Sequence, residues 1–364
     1  MVKINTPPNQ SKLIGIELVR FMAAISVLIW HYQMFTYIGE TPTNFFRDQQ
    51  PFYSILKIFY EYGGYGVTIF WYISGYIFFW KYGDLISKRL ITAKQFFILR
   101  ISRLYPLHFL TLLLVATLQF LYFRAHQYYF TYPYNDIKHF ILHIFFASYW
   151  GLQEGFSFNN PIWSVSVEVL IYFIFFITLF FIKNKVIGNI LTVLTSLIFL
   201  YLRLKSPIIS CLGYFYLGGL MAIIMEKISK YPNVNNIFKN ISILMLIAPP
   251  LLVYFLNLKH FAFMFLVSYS PAILFYLSSI DLSRNMTKKI EILGNLTYSS
   301  YLIHFPIQLF IALLFSYANL TIPFYSPTFF LSFLIASLIA AYFIYEYFEK
   351  PMQNRLRKKF LKPA

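Results

Sequence analysis

Cysteine occurs once, as Cys211 within an apolar run, which excludes a disulfide framework and a thiolate metal site and leaves a small packed residue. Charge is also scarce, at 12% of residues, roughly half the share of a soluble domain. Acidic residues are the scarcest part, 13 Asp and Glu against 30 Lys and Arg. The first apolar run lacks a small-residue cleavage site and is too long for a signal peptide, so it reads as a retained helix. No repeat period, low-complexity tract or soluble second domain breaks the chain. It reads as a single transmembrane domain over 1–364 with a basic tail at 348–364. What is abundant is apolar: 59% of the 364 residues, the composition of a multi-spanning membrane protein. A net charge of +17 would suit nucleic acid, but the cations cluster between apolar runs, where the positive-inside rule puts them. The expected partner is the lipid bilayer, with no nucleic acid.

Hydropathy predicts an all-α fold with about ten transmembrane helices, at 13–37, 64–80, 104–123, 162–182, 186–204, 208–225, 240–257, 261–280, 292–318 and 327–347. Of the 30 Lys and Arg, 22 fall on the N-terminus, alternate loops and tail, 7 on the other loops, and Arg20 within a span. Both termini are therefore expected to be cytoplasmic. The outer segment 124–161 holds a short apolar piece, Ile137 to Trp150, which is too short to cross and reads as re-entrant or interfacial. His139 and His143 are spaced i, i+4 within it, but no third ligand accompanies them and no metal is assigned.

Ionisable groups inside a bilayer are functional candidates by default, and Leu13–Tyr37 carries three of them: Glu17, Arg20 and His31. Glu17 stands one turn before Arg20 and can pair with it. Arg20 and His31 share a helix face roughly 16 Å apart. The alternative is a first helix whose Arg20 snorkels and whose His31 lies at the interface. Arg100 and Arg103 stand at the cytoplasmic start of the third span, with Pro106 suited to its first turn; their shared face fits either bidentate phosphate capture or ordinary positive flanking. Ser74-Gly75 lets a neighbouring helix or ligand approach the backbone. Pro161 to Glu168 opens the fourth span from the outer side and puts Glu168 roughly 9 Å below the surface, at a depth shared with His31. Tyr298 to Pro306 forms a polar seam holding His304 and a proline that frees a backbone carbonyl. The basic run after Glu349-Lys350-Pro351 reads as an inner-leaflet anchor.

Taken in order, these residues resemble the integral-membrane acyltransferases of the O-antigen acetylase type, the family-three acyltransferases. The resemblance is carried by Arg20 and His31 with ten residues between them, Ser74-Gly75, and Arg100 and Arg103 with Tyr105-Pro106. The Trp163–Glu168 run, Tyr301-Leu302-x-His304 and Glu349-Lys350-Pro351 complete it. It implies a ten-helix fold in a bacterial cytoplasmic membrane. It also implies transfer of an acyl group, commonly acetyl from acetyl-CoA, to a hydroxyl of an extracytoplasmic glycan or glycolipid. The chain stops at Ala364, before the C-terminal esterase-like domain that many relatives carry, and so resembles the stand-alone kind.

On this basis Arg100 and Arg103 are expected on the phosphates of acyl-CoA, which is a donor substrate and not a permanently bound cofactor. His31 is expected to take the acceptor proton, with Glu168 orienting the imidazole or the acceptor and Arg20 stabilising charge along the path. Glu17, Ser74, Trp163, Tyr301 and His304 are candidates for the substrate path. The rival expectation is a non-enzymatic polysaccharide exporter on the same helices, with the buried charges lining a conduit.

Overall fold

The computed structural model describes residues 11–228 apart from 203 and 205, residues 284–361, and residues 231, 237, 240, 241 and 244 between them. Eleven helices are described: α1 (Ser11–His31), α2 (Tyr53–Tyr62), α3 (Gly66–Ser87), α4 (Ala93–His126), α5 (Ile137–Ile144), α6 (Trp163–Ile182), α7 (Lys185–Tyr201), α8 (Pro207–Ile228), α9 (Arg284–Tyr317), α10 (Pro327–Ile344) and α11 (Lys350–Phe360). A π-helical turn at Tyr345–Glu349 joins the last two. A two-residue hairpin, β1 (Tyr37–Ile38) with β2 (Thr41–Pro42), pairs Tyr37 with Pro42. Six helical stretches among the described residues are long and apolar enough to cross a membrane. The fold is an all-α polytopic membrane fold; the crossing expected at 261–280, and all of that expected at 240–257 except residues 240, 241 and 244, lie outside the described residues.

Several boundaries differ from expectation, α3 running on to Ser87 and α9 starting at Arg284, and three further differences bear on the site. The first helix ends at His31, after which Tyr32–Thr36 tightens into a 3₁₀ turn. The third crossing begins at Ala93, so Pro106 sits inside α4 and not in its first turn. A proline within a helix removes one N–H and leaves the carbonyl four residues back without its usual donor. Ala93–Tyr105 is otherwise rich in good helix formers, and the helix continues through. At 34 residues α4 is about 51 Å long, well beyond a hydrocarbon core of about 30 Å. Third, α2 occupies an outer loop that hydropathy leaves unassigned, because ten residues are too few to register as a span.

The chain forms two compact units, and α1, α3, α6 and α9 each have residues in both. The first comprises Met1–Met22, Thr68–Thr92 and Ile171–Gly294. In it α3 and α8 touch backbone to backbone: a Cβ on Gly75 would collide with the Phe215 carbonyl, and one on Gly218 with the Tyr72 carbonyl. Around that crossing Phe78 stacks on Tyr172 at 4.3 Å and meets Phe175 and Phe215 edge-on. Lys185 links three helices by donating to Asp84 at 2.7 Å and Glu226 at 2.6 Å.

The second unit comprises Ala23–Val67, Ala93–Leu170 and Asn295–Ala364. Its core is built around Tyr32, which is fully buried, stacks on Phe324 at 4.8 Å and donates its hydroxyl hydrogen to the Phe324 carbonyl at 2.6 Å. A buried phenol needs such an acceptor, and this one ties the end of α1 to the turn between α9 and α10. The outer segment folds against the same unit. Asp136 caps α5 by accepting from the His139 amide at 3.0 Å, and Asn135 Oδ1 accepts from the Phe158 amide at 2.8 Å. Burial alone would raise the Asp136 carboxyl, but the His139 amide and imidazole hold it below the usual carboxylate range.

Candidate active site

The last carbonyls of a helix lack N–H partners within it, and His31 is the last residue of α1. Its carbonyl accepts instead from Gln308 Nε2 at 2.9 Å, so α9 holds the residue in place. The imidazole is 5% exposed and lies nearly parallel to that of His304, with ring centroids 4.9 Å apart and planes 21° apart. His31 Nδ1 is 3.2 Å from His304 Nε2, and His304 Nδ1 is 3.2 Å from the Ser300 carbonyl oxygen. A carbonyl only accepts, so His304 Nδ1 carries the hydrogen. In a neutral ring His304 Nε2 then accepts, and His31 Nδ1 must donate to it. The remaining lone pair, on His31 Nε2, is the group left for a substrate proton.

His31 borders a cavity of about 410 Å³, within the range of small-molecule sites. Trp30, Tyr37, Glu40, Tyr132, Asn160 and Trp163 line it with His31, giving aromatic walls with a few polar groups. One wall needs glycine: a Cβ on Gly63 would lie 2.7 Å from Trp30 Cβ and collide with the Ser26 carbonyl, so only a bare backbone lets residues 63–64 approach α1. Another wall depends on Pro306. Lacking an N–H, it leaves the Leu302 carbonyl without its helical donor, and buried Asn159 Nδ2 supplies one at 3.0 Å. Beside it the Ser164 and Tyr301 hydroxyls are 2.7 Å apart. The outer segment lines one side through Tyr132, Phe156 and Asn160 and is held there: the Thr131 hydroxyl donates to the Met34 carbonyl at 3.2 Å, and the Phe156 amide donates to Glu40 Oε1 at 3.3 Å.

Of the residues expected from sequence, this site brings together His31, His304 and Trp163, with Tyr301 bonded just behind. Glu168 is buried on α6 but does not line the cavity, and the nitrogen it was expected to orient is engaged by His304. Arg20 is paired in the first unit, its Nη1 donating to both Glu17 oxygens at 2.9 and 3.1 Å, and the Glu17 side chain lies against Gly294. Ser74 is half-buried on α3, where the Ser-Gly step receives α8. Arg100 and Arg103 are half-buried on α4. His143 Nε2 lies 3.0 Å from the Ser157 hydroxyl while its carbonyl accepts from His108 Nε2 at 2.7 Å, and His139 Nδ1 donates to Asp136 at 2.8 Å; both histidines brace the outer segment.

Sequence reasoning missed Gln308, Asn159, Asn160, Tyr132 and Glu40. Gln308 had a signal: Ser300, His304 and Gln308 recur at i, i+4, i+8, extending the polar seam by one more turn. The paired Asn159-Asn160 before Pro161 was a second, since amides there have orphaned backbone groups within reach. Tyr132 and Glu40 had none, because only the folding of the outer segment and of the β1–β2 turn brings them to the cavity that His31 lines.

No curated protein and no solved structure matches the chain. Residues 13–346, however, match the family of membrane acyltransferase domains designated number three, a match that takes in every helix from α1 to α10. The buried histidine pair at the edge of an aromatic cavity is thus found in a chain that belongs to the family-three acyltransferases.

Proposed function

We propose that the protein moves an acetyl group from cytosolic acetyl-CoA to a hydroxyl of an extracytoplasmic glycan or glycolipid, in a bacterial cytoplasmic membrane. The observation that carries this reading is the chain from Ser300 through His304 to His31, which leaves a lone pair on His31 Nε2 beside the cavity. The acceptor hydroxyl gives its proton to that nitrogen, and its oxygen attacks the thioester carbonyl. The C–S bond breaks, the CoA thiolate takes up the proton, and the ester leaves with the glycan. His304 does not touch the reactants; it holds the tautomer and orientation of His31, as a carboxylate does in a hydrolase triad. Trp163, Tyr132 and Tyr37 offer ring faces to a sugar, and Glu168 is assigned to the acceptor side. Arg100 and Arg103 take the donor's phosphates, and Arg20, held by Glu17, is assigned to charge stabilisation within the first unit.

A general base contributes about 10²- to 10⁴-fold, so His31→Ala and His31→Gln should lose transfer on that scale while donor binding and melting temperature persist. Wild-type turnover in either variant would overturn the assignment. Acyl-histidine chemistry is the alternative use of the same nitrogen. Label from radiolabelled acetyl-CoA, retained without acceptor on the wild type and absent from His31→Ala, would replace direct transfer by that route. The acceptor class is read from surface glycan of cells with and without the gene: an acetyl-sized mass difference supports it, and unmodified glycan in both removes it.

A further inference from the structure

Ser102 lies between Arg100 and Arg103, and its buried hydroxyl accepts from Arg357 Nε at 3.2 Å. Arg357 Nη2 donates to the Leu99 carbonyl at 3.3 Å. The basic run expected to anchor at the inner leaflet is docked on α4 through Arg357, and the turn before it is pinned where buried Glu349 accepts from the Ser299 hydroxyl at 2.5 Å. Viewed down α4 with Leu99 at zero, Ser102 stands at about −60°, Arg103 at about +40° and Arg100 at about +100°. Arg357, bonded to Leu99 and Ser102, joins this series on the near side of Arg103. Arg103 and Arg100 thus leave α4 within an arc of roughly 130°, on about one turn of helix, that begins at the Arg357 contact.

Helix α11 carries Lys350, Arg355, Arg357, Lys358 and Lys359 and has no Asp or Glu of its own. It also lies beyond residues 13–346, so the family match assigns it nothing. The planar forks of guanidinium groups gathered in this way match the oxygen edges of a tetrahedral, anionic phosphate.

We propose that Arg357 completes, with Arg103 and Arg100, a three-arginine site for the nucleotide phosphates of the acyl donor; this rests on the donor being acyl-CoA. An anionic lipid headgroup offers the same phosphate chemistry. The nucleotide is the occupant favoured here because Arg357 is half-buried and locked to α4, whereas a headgroup would be met first by the exposed Arg355, Lys358 and Lys359.

The test uses the full chain in neutral detergent, with acetyl-CoA, 3′-dephospho-acetyl-CoA and adenosine 3′,5′-bisphosphate as probes. Arg357→Gln should weaken acetyl-CoA binding about tenfold, the scale of a lost charge-assisted pair, with kcat at saturating donor retained. Binding of the dephospho donor should weaken less, and adenosine 3′,5′-bisphosphate should compete with acetyl-CoA in the wild type but poorly in the variant. Arg357→Lys keeps the charge and one hydrogen bond to α4, so it should melt near wild type yet still raise the KM for acetyl-CoA. Arg355→Gln with Lys358→Gln should leave donor binding unchanged. Wild-type donor affinity in Arg357→Gln, accompanied by loss of stimulation by phosphatidylglycerol vesicles, would assign the site to a headgroup and overturn the proposal. A melting temperature that falls in step with donor affinity, with both restored by Lys, would reduce Arg357 to a clamp. A wild type that binds no acetyl-CoA would instead sink the donor assignment on which the proposal rests.

Discussion

A histidine occupies the place behind His31 where a carboxylate would ordinarily be expected, and the difference has a chemical consequence. A carboxylate adds a buried charge that must be compensated; a neutral imidazole whose other nitrogen is held by a backbone carbonyl fixes the tautomer without one. What His304 must supply is an acceptor at the right height. His304→Gln, whose Oε1 accepts, should keep turnover within a few-fold of wild type, whereas His304→Leu should lose about 10- to 100-fold in kcat with donor KM unchanged, the scale typical of a residue that orients a functional imidazole. Equal losses in both variants would mean that the ring matters for packing and not for its lone pair. At the same scale, Gly75→Ala should destabilise the first unit by about 1–3 kcal/mol in detergent melts, because the added methyl has nowhere to go but into the Phe215 carbonyl.

Helix α9 shows how an element is specified by what one residue lacks. Pro306 removes a hydrogen bond, and the freed carbonyl of Leu302 recruits Asn159 from the turn before α6, bringing the polar face of α9 to the cavity. Asn159→Leu should therefore cost about 1–3 kcal/mol by leaving a buried acceptor unsatisfied. Adding Pro306→Ala should recover much of that loss, since alanine restores the helical N–H; a double-mutant cycle on melting temperature reads the coupling. If the two effects simply add, Asn159 serves some end other than that carbonyl. The long α4 is specified differently. Its N-terminal extension carries Arg100 and Arg103 and receives α11, while its far end places His126 Nε2 2.9 Å from the Ser316 hydroxyl near the end of α9. One element thus runs from the arginines proposed for the donor phosphates to the end of α9.

At the scale of the molecule, the placement of Lys and Arg predicts that Lys88 and Lys359 face the cytoplasm and Arg47 and Asn319 the outside; Lys230, predicted inside, lies outside the described residues. Within the second unit the turn after α9 meets the loop holding Arg47, the Tyr325 hydroxyl accepting from the Phe46 amide at 2.9 Å, as expected if both share one side. Cysteines placed at these positions and labelled with an impermeant reagent in sealed cells should react at 47 and 319 only. Labelling at 88 from outside would invert the orientation on which every depth assignment depends. The sequence by itself determined that this is a polytopic membrane protein, and it singled out His31, Trp163, Tyr301 and His304. In an apolar chain each polar group stands out against its background, and membrane thickness makes span length legible without any knowledge of packing. Only the tertiary structure decided that His304 and not Glu168 engages His31, that Asn159 and Gln308 hold the site, that the outer segment lines the cavity and that Arg357 docks on Leu99 and Ser102. Each of these is a contact between positions far apart in the chain, and side-chain periodicity along a helix reports which face a residue occupies but not which neighbour that face will meet.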